Sequence, residues 1–328
     1  MRSLRELLPE GAEITEKENS FIIHHDFAVK SSYRMNVVGM GDVGRTFLLA
    51  SKLLGNDILS SIGIYDLNED MLRRLEMEMG QIRAASGDMR FPEVRIIGEE
   101  DLFDADVFVF CATKRVPDVV AGEDPGDVRM AQFGANRPMI ETYAEMAAAR
   151  DYENMFFVVS DPVDPLAKAA SLKMSMPERI QGCGLGVMNA RAAYYAEKDP
   201  ALRSYLEEGR AFGPHGEDLV IADSVKNYDE AASEKLTDLT IGSNIAMRNI
   251  GFKPYIAPAV SSGALTVTEA LRGRWHYSSV YFGSGSNGAF LGVKNRLTVS
   301  GVEVEDLPLP DALFARIETA YMDLEAMI

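Results

Sequence analysis

The stretch VVGMGDVGRTFLL, Val37 to Leu49, sets three glycines, Gly39, Gly41 and Gly44, at G-x-G-x-x-G spacing between an apolar run and a helical pattern. That order predicts a strand turning sharply into a helix. Each glycine has a physical task in such a turn. Gly39 permits the tight reversal, Gly41 lets backbone approach a pyrophosphate closely, and Gly44 lets the helix pack on the strand with its N-terminus facing the phosphates. With Asp42 and Val43 between them, these residues form a candidate dinucleotide site. Asp66 ends the next strand pattern, SIGIYD. A carboxylate there accepts hydrogen bonds from the adenine ribose hydroxyls and repels a 2′-phosphate, so NAD is expected rather than NADP. The competing reading of Asp66 is a helix N-cap ahead of Asn68 and Glu69.

Outward from this turn, strand and helix patterns alternate. MNVVGM is followed by a helix to Leu54, and SIGIYD by a helix from Glu69 to Ala85. VRIIG and DVFVFC come next, then a polar loop, a helix from about Met130 to Arg150, the strand FFVVS and a helix after DPVDP. The alternation predicts an α/β fold whose N-terminal part is a doubly wound parallel sheet of Rossmann type. The remainder reads as an α+β substrate domain. It contains RIQGCG, a helix through Arg191 to Glu197, a glycine-flanked loop at His215, the strand-like DLVIADS and two long helices. Three strand patterns between Trp275 and Val302 and a helix from Pro310 close it. The expected division is an arm (1–34), a dinucleotide-binding domain (35–162) and a substrate or catalytic domain (163–328).

Composition narrows the function classes. The chain has 328 residues, 47% of them hydrophobic, enough for one large or two medium cores. Fifty acidic against 33 basic residues give a net charge of -17, which repels phosphate backbones and anionic bilayers. No nucleic-acid partner and no membrane partner are expected. No run of about 20 apolar residues and no signal-peptide core occurs, so a cytoplasmic protein is expected. Cys111 and Cys183 sit in apolar strand-like runs and read as core residues, with no metal site and no disulfide.

Over most of the chain, from Met35 onward, the order of motifs resembles the lactate and malate dehydrogenase family. CATKRVP is similar to the family's loop that closes over substrate, and Arg115 falls where that loop carries the arginine that reads the substrate's far end. In RMAQFGAN, Arg129 and Asn136 resemble the arginine that polarises the substrate carbonyl and its partner asparagine. Arg191, in NARAAYY, matches the arginine that clamps the substrate carboxylate through two parallel hydrogen bonds. His215, in GPHGED, stands at the place of the proton-transferring histidine, and FLGVKNRLTVSGVEV resembles the closing hairpin. The resemblance implies a homo-oligomer, a dimer or tetramer, acting on a carboxylate-bearing small molecule.

Those residue types suit one reaction. Oxidising a 2-hydroxy acid needs a group that takes the hydroxyl proton while nicotinamide takes the hydride, and histidine suits that near neutral pH. One guanidinium fixes the carboxylate and another stabilises charge on the substrate oxygen. His24 and His25, in the arm, and His276, beside Trp275, read as packing or surface residues.

Two departures fall inside the expected site. Met188 stands where the family has an aspartate that orients the histidine, a loss that can cost on the order of 10⁴ in turnover. Asp161, in SDPVDP, replaces the family's asparagine. Proton transfer then needs a second group, for which Asp161 and Glu217 are the candidates, Asn189 being a neutral amide on another helix face. Asp118, Glu123, Asp124 and Asp127 make the preceding loop acidic. The expectation is an NAD-dependent dehydrogenase, malate-like rather than lactate-like because of Arg115. The alternatives are a dinucleotide-binding sensor or partner subunit without turnover, and a dehydrogenase for an amine-bearing hydroxy acid.

Overall fold

A computed structural model describes residues 1–114, 125–216 and 218–328. Strands β1 (Ile14–Lys17) and β2 (Ser20–His24) precede β3 (Tyr33–Val38), α1 (Asp42–Leu54) and β4 (Leu59–Tyr65). There follow α2 (Glu69–Gly80), β5 (Glu93–Ile96), β6 (Val107–Phe110), α3 (Pro125–Ala148) and β7 (Met155–Val158). Then come α4 (Val163–Met174), β8 (Ile180–Gly182), α5 (Leu185–Lys198), α6 (Tyr205–Glu208), β9 (Arg210–Phe212) and β10 (Val220–Ala222). The chain ends with α7 (Glu230–Asn249), α8 (Thr266–Leu271), β11 (His276–Ser284), β12 (Asn287–Thr298), β13 (Gly301–Glu305) and α9 (Asp311–Ala326). A π-helical segment, Pro258–Leu265, leads into α8.

One sheet runs through the molecule in the order β1-β2-β13-β12-β11-β8-β7-β6-β3-β4-β5. Strands β8, β7, β6, β3, β4 and β5 are parallel, with Val37 opposite Val109 and Ile64 in register. The VFVF of β6 and MFFV of β7 are buried at every position. Continuous apolar runs of this kind suit a parallel sheet covered by helices on both faces. RIQGCG, grouped by sequence with the second half, supplies the sixth parallel strand. The antiparallel meander β11–β12–β13 attaches to it where Ser279 pairs with Gly182.

Residues 1–34, expected as an arm, contribute strands to the sheet. β1 and β2 form a hairpin whose second strand pairs with β13, from Ser20 opposite Glu305 to His24 opposite Gly301. The signal is the short apolar run FII, in which Phe21 and Ile22 are buried. Cys111 and Cys183 are buried and free, as expected of core residues. Among the described residues no helix is long and apolar enough to cross a membrane, and no group of acidic, cysteine or histidine side chains is arranged to hold a metal ion.

Candidate active site

The glycine turn joins the C-terminal end of β3 to α1, inside the sheet, where the strand order reverses between β3 and β6. Gly39 has φ +91°, and a Cβ there would lie 2.4 Å from the Ala112 backbone, so only glycine fits. A Cβ on Gly41 would meet nothing within 4 Å, whereas on Gly44 it would strike the Gly39 carbonyl at 1.9 Å. The open space over Gly41 is the cradle a pyrophosphate needs at a helix N-terminus. Val43 packs against the core behind the turn. The Asp42 carboxylate is matched by Arg45 at 2.6 Å and by Lys253, from beyond α7, at 3.8 Å.

Asp66 is not an N-cap. Asn68 caps α2 by accepting from Met71 N–H, while Asp66 accepts from the Met40 N–H at 2.6 Å and the Asn68 N–H at 3.0 Å. Its carboxylate thus ties the glycine turn to β4 and keeps further lone pairs for ribose hydroxyls. A cavity of about 410 Å³ lined by Tyr65, Asp66, Leu67, Arg73, Ile96 and Ile97 opens beside it, apolar on one side as an adenine requires. The residues present fit a dinucleotide.

The second cluster lies at the C-terminal ends of β6 and β7, facing α5 and the loop after β9. His215 Nδ1 is 3.0 Å from Asp161 Oδ1. The imidazole is nearly buried and the carboxylate half-exposed, at 11% and 45%. The Nε2 of His215 is buried without a hydrogen-bond partner among the described residues. Asp164, on the first turn of α4, is 1% exposed and accepts from the His215 main-chain N–H at 3.2 Å and from the Ser279 hydroxyl. Arg129 Nη2 stands 4.0 Å from the same carboxylate. A Cβ on Gly216 would lie 2.0 Å from Arg129 Nη1, so the glycine after His215 leaves room for the guanidinium.

Arg191 completes the cluster from α5. Its Nη2 donates to Asn244 Oδ1 on α7 at 2.5 Å, and its Nη1 faces Met188 Sδ at 3.6 Å. Burial pushes the Arg191 guanidinium down from its ordinary value, and Asp161 draws it back up. Burial likewise pushes the Asp161 carboxyl up, but His215, Arg129 and Arg191 outweigh it and hold it below the usual carboxylate range. Asp164 moves the other way, because burial exceeds the help of Ser279 and Arg129.

Of the residues singled out by sequence, His215, Arg129, Arg191 and Asp161 come together here. Asn136, expected as a substrate ligand, is wholly buried. Its amide donates to the Asp161 carbonyl at 2.8 Å and to Thr113 at 3.1 Å, and its oxygen accepts from the Lys114 N–H at 2.9 Å. It fixes the turn that carries Asp161 and has no donor left over for substrate. Arg115, Asp118, Glu123, Asp124 and Glu217 lie outside the described residues. Asn189 is turned away, its oxygen accepting from the Tyr205 hydroxyl at 2.9 Å. His276 is buried between Gln181 and the Arg274 carbonyl, which fits its reading as a packing residue. Sequence reasoning missed Asp164 and Asn244. The first was legible as an acid at the head of an apolar helix; the second carries no local signal.

The family model described as "lactate/malate dehydrogenase, NAD binding domain" matches residues 33–182. L-lactate dehydrogenase B of Hordeum vulgare is 26% identical over 313 residues, covering 87% of this chain and 86% of its own. A malate dehydrogenase of Bacteroides fragilis is 23% identical over 250 residues, covering 71% of this chain and 75% of its own. Among solved structures, MGS-M5, a lactate dehydrogenase from a Medee basin deep-sea metagenome library, superposes with a TM-score of 0.73 at 18% identity, covering 90% of this chain and 98% of its own. The stretch from β3 to β8 matches an NAD-binding domain of lactate/malate dehydrogenase type, and over most of its length the chain is similar to lactate and malate dehydrogenases.

Proposed function

We propose that this oxidoreductase interconverts a 2-hydroxy acid and its 2-oxo acid, with a substrate nearer malate than lactate. The observation that carries the reading is the convergence of His215, Arg129 and Arg191, from three separate elements, around the carboxylates of Asp161 and Asp164. NAD, when bound, accepts or returns the hydride. With Nδ1–H donated to a carboxylate, His215 offers the Nε2 lone pair to the substrate hydroxyl proton. Arg191 provides a planar fork for the substrate carboxylate, and Arg129 a positive charge for the developing oxygen. The malate-like preference rests on Arg115, a second cation able to meet a second carboxylate. Two relatives with different names, lactate and malate dehydrogenase, support the reaction class without separating the substrates.

The retained geometry favours turnover over a sensor without catalysis. Among the described residues both acids of the cluster are engaged, Asp161 by His215 and Asp164 by Ser279 and the His215 N–H, so neither is free to meet an amine, and the plain hydroxy acid is preferred to the amine-bearing one. Self-association with a second copy is supported by exposed Ile245, Ile250, Phe252 and Ile256 around the end of α7. Arg248 and Lys253 among them give that patch a positive rim in a chain of net charge -17. The deciding experiment is a panel of 2-hydroxy and 2-oxo acids, mono- and dicarboxylic, followed by nicotinamide absorbance. Turnover of a dicarboxylic member, lost in Arg191→Lys with NAD affinity unchanged, is the expected result. Tight NAD binding with no turnover of any acid would overturn the reading.

A further inference from the structure

Resting on the hydroxy-acid reading above, we propose that Asp161 is the positioning residue of His215, a carboxylate delivered from the turn between β7 and α4 rather than from α5. The α5 position that faces the loop carries Met188, 3% exposed and packed in an apolar cluster with Leu185, Ala192, Leu219 and Leu236. It offers no acceptor stronger than a thioether. Asn189, the next residue, is bound to Tyr205. Asp161 Oδ1, by contrast, is 3.0 Å from Nδ1, within reach of a charge-assisted hydrogen bond.

The turn that carries this carboxylate is built to hold it still. Asn136 donates to the Asp161 main-chain carbonyl from a fully buried position, and Ser160 Oγ donates to the Ala112 carbonyl at 2.6 Å. Three residues further on, Asp164 accepts from the His215 N–H, so ring and backbone of the histidine are anchored on the same short segment. Asp164 is itself held by Ser279, at the strand pair that joins the parallel and antiparallel parts of the sheet.

The chemistry follows from which nitrogen is held. Nδ1–H donates to Asp161, which leaves Nε2 unprotonated and able to accept. Nε2 takes the substrate O–H proton as the C–O bond becomes C=O, and NAD, held at the glycine turn and Asp66, would supply the hydride acceptor that this oxidation needs. The imidazolium that results carries N–H on both nitrogens, and its charge is matched by the carboxylate at Nδ1. Asp161 stays ionised throughout. Arg129 and Arg191 lie close enough to help hold it so, while they remain the cations that face the substrate. The acid absent at 188 and the acid present at 161 leave the count of carboxylates beside the two guanidiniums unchanged.

The test is Asp161→Asn, which keeps size and reach but can turn either an oxygen or an amide N–H to Nδ1. Its first readout is the ¹⁵N spectrum of the imidazoles in the NAD complex, with His215 assigned by loss of its signals in His215→Gln. The unmodified protein is expected to show one tautomer, protonated at Nδ1, and the variant a mixture. The second readout is kinetic, with kcat falling by about 10³ to 10⁴ while NAD affinity stays within twofold. Met188→Asp in the Asp161→Asn background is expected to recover part of that loss. A variant with the same single tautomer and kcat within threefold of the unmodified protein would overturn the proposal. If the unmodified protein turns over no acid, the dehydrogenase reading fails by itself and the ¹⁵N spectra still decide the role of Asp161.

Discussion

Gly216 lacks a side chain where one would collide with Arg129 Nη1, the far end of a flexible arm. Gly216→Ala therefore displaces a guanidinium rather than backbone, so melting temperature is expected to hold within about 2 °C while kcat/KM falls at least tenfold. A change confined to stability would show that Arg129 is not a working residue. Asp66 gives a second separation at this scale. Asp66→Ala removes the acceptor for two main-chain N–H groups and the anion that repels a 2′-phosphate. Its expected outcome is weaker NAD binding with the preference over NADP eroded, read by titration of both cofactors. His215, Arg129, Arg191 and Asp161 were legible in the sequence because each sits in a recognisable local motif. Asp164 and Asn244 were not, since each acts only through a partner far away in sequence, His215 and Arg191, that the fold brings to it.

Elements with a strong period were readable for the same reason that they are stable: β6 and β7 are apolar at every position, and the glycine turn admits only one geometry. Strand β10 was readable in DLVIADS, whereas its partner β9, three residues long, and the hairpin β1–β2 depend on pairing rather than on their own pattern. That hairpin is secured by Glu303 of β13. Glu303 accepts from Ser20 and Lys17 and pairs with Arg296, while neighbouring Glu305 pairs with Lys294 and with Arg210 of β9. Burial pushes both carboxyls up, but these donors outweigh it and both end below the usual range. A depressed value contributes stability that is present above the unfolded value of roughly 4.3 and is lost as pH falls through the folded one. Melting temperature should therefore drop between about pH 5 and pH 3. Glu303→Gln should lower it at neutral pH and flatten that acid limb, as differential scanning fluorimetry across the range would register. An unaltered acid limb would mean that Glu303 is not what holds the hairpin.

Over the whole molecule, two fields of opposite sign act on any anion that approaches. The net charge of -17 is spread over the surface and repels both a dinucleotide and a dicarboxylate. Arg129 and Arg191 act within a few ångströms, inside a cleft whose own acids, Asp161 and Asp164, balance them in number. Salt separates the two. The Debye length falls from about 30 Å at 0.01 M to about 10 Å at 0.1 M, so the distributed repulsion is screened while contact at the cleft is little changed. For a dicarboxylic substrate, kcat/KM is therefore expected to rise as ionic strength goes from about 0.01 to 0.1 M, with kcat nearly constant. A monocarboxylic substrate, with half the charge, should show a smaller rise. Varying sodium chloride at fixed pH and saturating NAD gives the measurement. A steady fall over that interval would mean that the two arginines and the loop carrying Arg115 dominate the field at long range.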